Sequence, residues 1–194
     1  MSPGAHLLFA LLVAETRGRS IPSAVGPYHI AVERIDDCMP PMASKVHVRF
    51  SHFNPSRPTD AQYAWGSYYW AVDTDDASYF KMHISKWSNN QWKPNFFVFN
   101  FKVKGCSVLR DLLPVTKALV FDVAKSAGAS YERANCFVPT GSYELANKSV
   151  RVVLADVPVM PYGRYRATVN VGSPKQPDTI NCLDAYVQFI PKSK

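Results

Sequence analysis

Short stretches of period two dominate the hydrophobic pattern of this chain. In residues 45–53, Val46, Val48 and Phe50 fall on one side and His47, Arg49 and Ser51 on the other, which predicts a half-buried strand. A loop rich in Pro, Asn and Ser follows at 54–60. Residues 61–72 concentrate Tyr63, Trp65, Tyr68, Tyr69 and Trp70 in one aromatic strand, ended by an acidic turn at 73–76. Alternation returns at 79–86, with Phe80, Met82 and Ile84 opposite Lys81, His83 and Ser85. The segment 87–92 reads as a hairpin tip carrying two tryptophans. Residues 95–103 form a strand apolar on nearly both faces. Val150, Val152 and Leu154 predict a strand over 150–154, and Tyr165, Ala167, Val169 and Val171 predict another over 164–171. The last strand covers 182–190.

One short helix is expected, capped by Ser107, running through Val108, Leu109, Leu112 and Leu113, and stopped by Pro114. Residues 118–124 fit either a strand or a second short helix. Eight or nine strands, with turn signals about every 10–15 residues, describe an all-β antiparallel sandwich or cup. Neither a repeat nor a linker divides the chain, so residues 28–192 are expected to form a single domain.

Composition narrows the function classes. Hydrophobic residues make up 47% and charged residues 19%, which excludes an intrinsically disordered chain. No apolar run approaches the ~18 residues that a membrane-spanning helix needs. The net charge of +7 suits anionic lipid, acidic glycan or nucleic acid and singles out none of them. Residues 6–14 form a short apolar block followed by Arg17 and Arg19, so residues 1–18 read as an export signal, with cleavage after Ala14 or after Gly18. Export implies a secreted or lysosomal protein in an oxidising compartment, where Cys38, Cys106, Cys136 and Cys182 pair in one of three connectivities. Asn147-Lys148-Ser149 is a glycosylation sequon; Asn54-Pro55-Ser56 is voided by its proline.

Catalytic templates are missing. The chain has no G-x-S-x-G, G-x-G-x-x-G, Walker loop or H-E-x-x-H. His47 and His52 point to opposite faces of a strand. Asp73, Asp75 and Asp76 open like a calcium loop, but Ser78 and Ile84 stand where glycine and glutamate are required. No enzyme, cofactor or metal site is expected. The basic residues are dispersed and lack a ribonucleoprotein-type aromatic motif, so no nucleic-acid partner is expected either. The informative feature is the aromatic surplus of 11 Phe, 10 Tyr and 4 Trp, which favours an apolar cavity or an apolar rim. Trp87 and Trp92, beside Asn89, Asn90 and Gln91, suit a membrane–water boundary.

Two C-terminal stretches carry a family resemblance. Cys136-Phe137-Val138-Pro139-Thr140-Gly141-Ser142-Tyr143 is similar to the C-P-x-x-x-G-x-Y stretch of the ganglioside-activator proteins. Residues 158–166, with Pro161, Gly163, Tyr165 and Arg166, resemble that family's L-P…G-x-Y-R segment. Trp92-Lys93-Pro94 followed by Cys106-Ser107-Val108-Leu109 resembles the arthropod secreted proteins of the chemosensory lipid-binder type. Both groups belong to the ML (lipid-recognition) superfamily. The resemblance covers about 90–194 well and 30–53 weakly.

It implies an immunoglobulin-like antiparallel sandwich opened into a lipid-binding β-cup with one short helix, and disulfides Cys38–Cys182 and Cys106–Cys136. It also implies a non-enzymatic carrier of an acyl chain or glycolipid that touches membranes transiently. Such a carrier presents its cargo to a lysosomal glycosidase or to a chemosensory or immune receptor. On this reading Val46, Val48, Phe50, Trp65, Tyr69, Phe80, Met82, Ile84, Phe97, Phe99, Phe101, Val152 and Val169 line the cup, and Trp87, Trp92, Met160 and Tyr162 form its membrane rim. The alternative is an immunoglobulin-like interaction module with a filled core. The chain has four cysteines where activators carry eight, and Met160 and Tyr162 where their loop has a tryptophan–leucine pair.

Overall fold

A computed structural model describes residues 24–192. The expected export signal falls on residues 1–18 and lies outside the described residues. The chain runs β1 (Val25–Gly26), β2 (Tyr28–Asp37), β3 (Lys45–Phe50), β4 (Gln62–Trp70), β5 (Tyr79–Ser88), β6 (Gln91–Phe101), α1 (Gly105–Leu112), β7 (Gly141–Val150), β8 (Met160–Pro161), β9 (Gly163–Ser173) and β10 (Gln176–Pro191). All strand pairs are antiparallel. A five-stranded sheet has the order β2-β10-β9-β5-β6, a three-stranded sheet the order β3-β4-β7, and β1 pairs with β8. Among the described residues no helix is long and apolar enough to cross a membrane.

Local chemistry explains the joints. The β5–β6 hairpin turns on Asn89 (φ 52°) and Asn90 (φ 59°), two consecutive left-handed residues whose twist matches that of the flanking strands. The tip is therefore the asparagine pair, and Trp87 and Trp92 sit directly opposite each other within the ladder. Where β4 meets β7 the register slips between Ala64 and Gly66. Gly66 has φ 123°, and a Cβ there would overlap the carbonyl oxygen of His47, so only glycine fits this bulge.

The helix begins three residues earlier than expected, and its cap is not Ser107. Lys104 precedes it in the left-handed region, and Asp76 accepts the Ser107 N–H at 2.9 Å and its hydroxyl at 2.8 Å. Of the two readings open for residues 118–124, the helical one is realised in part: a short helical turn covers Lys117–Phe121, and a turn and a bend follow at 122–124. Two other expectations fail. The strand expected over 150–154 is a loop beyond Val150, and the strand before it, β7, occupies residues where none was expected.

Cys38 pairs with Cys182, separated by 144 positions, and Cys106 with Cys136, separated by 30. This is the connectivity implied by the resemblance. Two paired disulfides point to an oxidising, extracellular-type compartment. The Asn147 side chain is exposed at a left-handed position of β7.

One hydrophobic cluster draws on both larger sheets: Phe80, Met82, Tyr165 and Val171 from the five-stranded sheet, and Ala64, Tyr68, Trp70 and Leu145 from the three-stranded one. Three buried polar side chains fasten the sheets through backbone atoms. Gln62 in β4 accepts the Val32 N–H at 2.7 Å and donates to the Val32 and Ser51 carbonyls at 2.9 and 2.8 Å. Asn181 in β10 accepts the Ala71 N–H at 2.6 Å and donates to the Val72 carbonyl at 3.1 Å. Ser44 both donates to and accepts from the Cys182 backbone, at 2.9 and 2.8 Å.

Candidate functional site

Ser44 and Asn181 also border a cavity of ≈ 200 Å³. Its walls come from strands of both larger sheets and from the helical segment that follows β6. β3 supplies Val46, Val48 and Phe50; β5 supplies Met82 and Ile84; β9 supplies Ala167 and Val169. The helical segment adds Leu109, Leu113, Leu119 and Val120, and the loop after β7 adds Val152 and Leu154. Period-two alternation puts the strand residues there. Leu109 and Leu113, four positions apart, present one apolar side of the helical segment.

The wall offers almost no chemistry besides hydrocarbon. Its polar side chains are engaged with the protein itself: Ser44 and Asn181 as described, Thr116 through its hydroxyl to the Leu113 carbonyl at 2.7 Å, and Trp70 through its indole N–H to Thr74 at 3.1 Å. The Tyr68 hydroxyl donates to the Leu119 carbonyl at 3.0 Å and the Tyr165 hydroxyl to the Pro161 carbonyl at 2.7 Å. Burial pushes the Tyr165 phenol up to about 12 and raises Tyr68 further, so both stay neutral. Tyr69 stands at an exposed border of the wall. No charged side chain lines the cavity. Among the described residues no group of three His, Cys, Asp or Glu side chains is placed to hold a metal ion.

The structure brings eight of the expected lining residues to this wall: Val46, Val48, Phe50, Tyr69, Met82, Ile84, Val152 and Val169. Five others are elsewhere. Phe80 is fully buried in the packed core beside the cavity. Trp65 is exposed, because Ala64, Tyr68 and Trp70 take the inward positions of β4. Phe97, Phe99 and Phe101 pair with Ile84, Met82 and Phe80 and so share their face, but β6 is an edge strand. Phe99 packs half-buried against the core, and Phe97 and Phe101 are exposed.

The expected membrane rim does not assemble. Met160 is 2% exposed, held where β8 pairs with β1, and Tyr162 is half-buried with its hydroxyl on the Pro27 carbonyl at 3.2 Å. Ala185 and Val187 line the cavity, so Tyr186 between them faces away. Trp92 packs on that outward face, 5.7 Å from the Tyr186 ring and 5.1 Å from Trp87. The Arg34 guanidinium sits 3.7 Å from the Tyr186 centroid and that of Arg166 5.6 Å from Trp92. The two indoles thus belong to a cation–aromatic stack on the outside of the larger sheet.

Sequence reasoning missed the part of the wall built by Tyr68, Leu145 and the residues after α1. The Leu109/Leu113 spacing was the available signal for the helical contribution. No protein-family model matches this chain, and no curated protein matches it.

Proposed function

We propose that this protein is a secreted carrier of a hydrocarbon tail, its two larger sheets splayed as a cup around the apolar cavity. One observation carries the reading: an interior space whose wall holds no charge and whose polar side chains, Tyr69 aside, are already hydrogen-bonded. A polar ligand entering there would lose its water and gain no partner, which is unfavourable. A hydrocarbon gains about 0.8 kcal/mol per methylene buried, so about six methylenes supply roughly 5 kcal/mol before binding costs.

Size points the same way. A space of ≈ 200 Å³ exceeds the ~150 Å³ that accommodates benzene in an apolar protein cavity and falls below the ~300–1,000 Å³ of pockets for drug-sized ligands. It suits a tail segment with the headgroup left outside. The resemblance to the ML superfamily supports the reading through the same short motifs and the same disulfide pairing.

The test is displacement of a fluorescent fatty-acid probe, run beside native mass spectrometry of gently purified protein. Wild type is expected to take up the probe and to carry hydrocarbon adducts. Ala167→Phe, which places a ring in the cavity, should weaken probe binding at least tenfold while the far-UV dichroism stays unchanged. Adduct-free protein together with probe affinity indifferent to Ala167→Phe would refute the carrier reading and leave the interaction module.

A further inference from the structure

The larger sheet has five strands against three in the smaller one, and β6 is one of its edge strands. Along it Phe96, Phe97 and Phe101 are 37%, 39% and 41% exposed, with Val98 at 51% and, just past its end, Val103 at 58%. Phe96 and Phe97 meet edge to face at 4.8 Å, and Phe101 lies four positions further along the same edge strand, so the exposed rings gather into one aromatic lip. Exposed apolar patches of this kind mark interaction sites.

Charge identifies the partner. From Tyr79 to Lys104 the chain carries Lys81, Lys86, Lys93, Lys102 and Lys104 and no Asp or Glu. Lys86 holds its ammonium 5.4 Å from the Phe96 centroid, so a cation borders the lip directly. The acidic residues just before this hairpin are engaged elsewhere: Asp75 with the Ala77 N–H and Lys175, Asp76 with Ser107. The edge is also poorly made for strand addition. Pro94 removes a donor, Asn95 has φ 57°, and the β5–β6 register slips between Ile84 and Lys86. A second copy would bring lysines against lysines.

We propose that the β6 lip docks on an anionic phospholipid surface, its phenylalanines entering the interface and its lysines contacting the headgroups. This deepens the carrier reading and rests on it for its purpose, since the lip lies on the sheet whose β5 also walls the cavity. Vesicle binding is nonetheless measurable without cargo.

The experiment is co-sedimentation of the full chain with phosphatidylcholine vesicles, with and without phosphatidylserine. Binding is expected only with phosphatidylserine, weakening as salt rises. Phe97→Ser with Phe101→Ser should abolish it. Lys93→Gln with Lys102→Gln, both exposed, should weaken it by about fivefold per lysine at low salt. Ala167→Phe should leave it intact, which separates failure of the lip from failure of the cavity. Equal binding to neutral vesicles, no binding, or indifference to both double variants would overturn the proposal. So would a dimer in analytical ultracentrifugation that the phenylalanine variant dissolves, which would assign the lip to a second copy.

Discussion

Gln62 shows how much one polar residue in an apolar setting can hold. Its amide satisfies both backbone groups of Val32 and the Ser51 carbonyl, and it does so across the two larger sheets. Gln62→Leu adds hydrophobicity at a buried position yet strands those groups without partners. At about 1–3 kcal/mol for each unsatisfied buried group, with partial relief from relaxation, the variant should lose about 2–4 kcal/mol in urea unfolding. A neutral or stabilising result would mean that water reaches Val32 and that the clamp is dispensable. The period-two pattern gives no hint of this role, because Gln62 occupies an inward position of β4 where an apolar residue is expected.

The clearest element-scale case is α1. Asp76 reaches it from the turn before β5 and caps the helix where its own sequence supplies no capping side chain. Asp76→Ala should cost about 1 kcal/mol and speed amide exchange at Ser107 and Val108 ahead of the rest of the protein. Unchanged exchange there would show that the Cys106–Cys136 bridge alone fixes the helix start.

Legibility varied element by element, for physical reasons. β3, β5 and β9 were readable because their alternation is uninterrupted. β7 was not, since the bulge around Asn147 shifts its phase midway. The strand expected over 150–154 proved to be a loop, although Val152 and Leu154 do face inward. Alternation reports burial, and a loop pressed onto the cavity satisfies it without a ladder. For the phenylalanines of β6 the face was legible and the exposure was not, because one strand's sequence does not state that the strand lies at the edge of its sheet. The cap on α1 was out of reach for a similar reason: it comes from 31 positions upstream.

At the scale of the whole molecule, the two disulfides differ in what they restrain. Cys38–Cys182 closes 144 positions and ties β10 to the end of β2, while Cys106–Cys136 closes 30. Chain-entropy reasoning values the first at ~5 kcal/mol and the second at ~3.5 kcal/mol. Replacing each pair by alanines should therefore lower the urea midpoint more for Cys38/Cys182 than for Cys106/Cys136. The reverse order would place the main restraint at the helix. A structure with a hollow interior gives up dispersion contacts that a filled one would have, and covalent closure of the long loop offsets that loss.

The silence of the cavity wall has a consequence for selectivity. With no spare donor, acceptor or charge inside apart from Tyr69 at the border, a carrier of the proposed kind would gauge calibre and reach alone, blind to whatever polar cap its occupant wears. Material isolated with the protein should be a mixture sorted by the thickness of its tails, with saturated and branched versions ranked by fit and many head chemistries represented side by side.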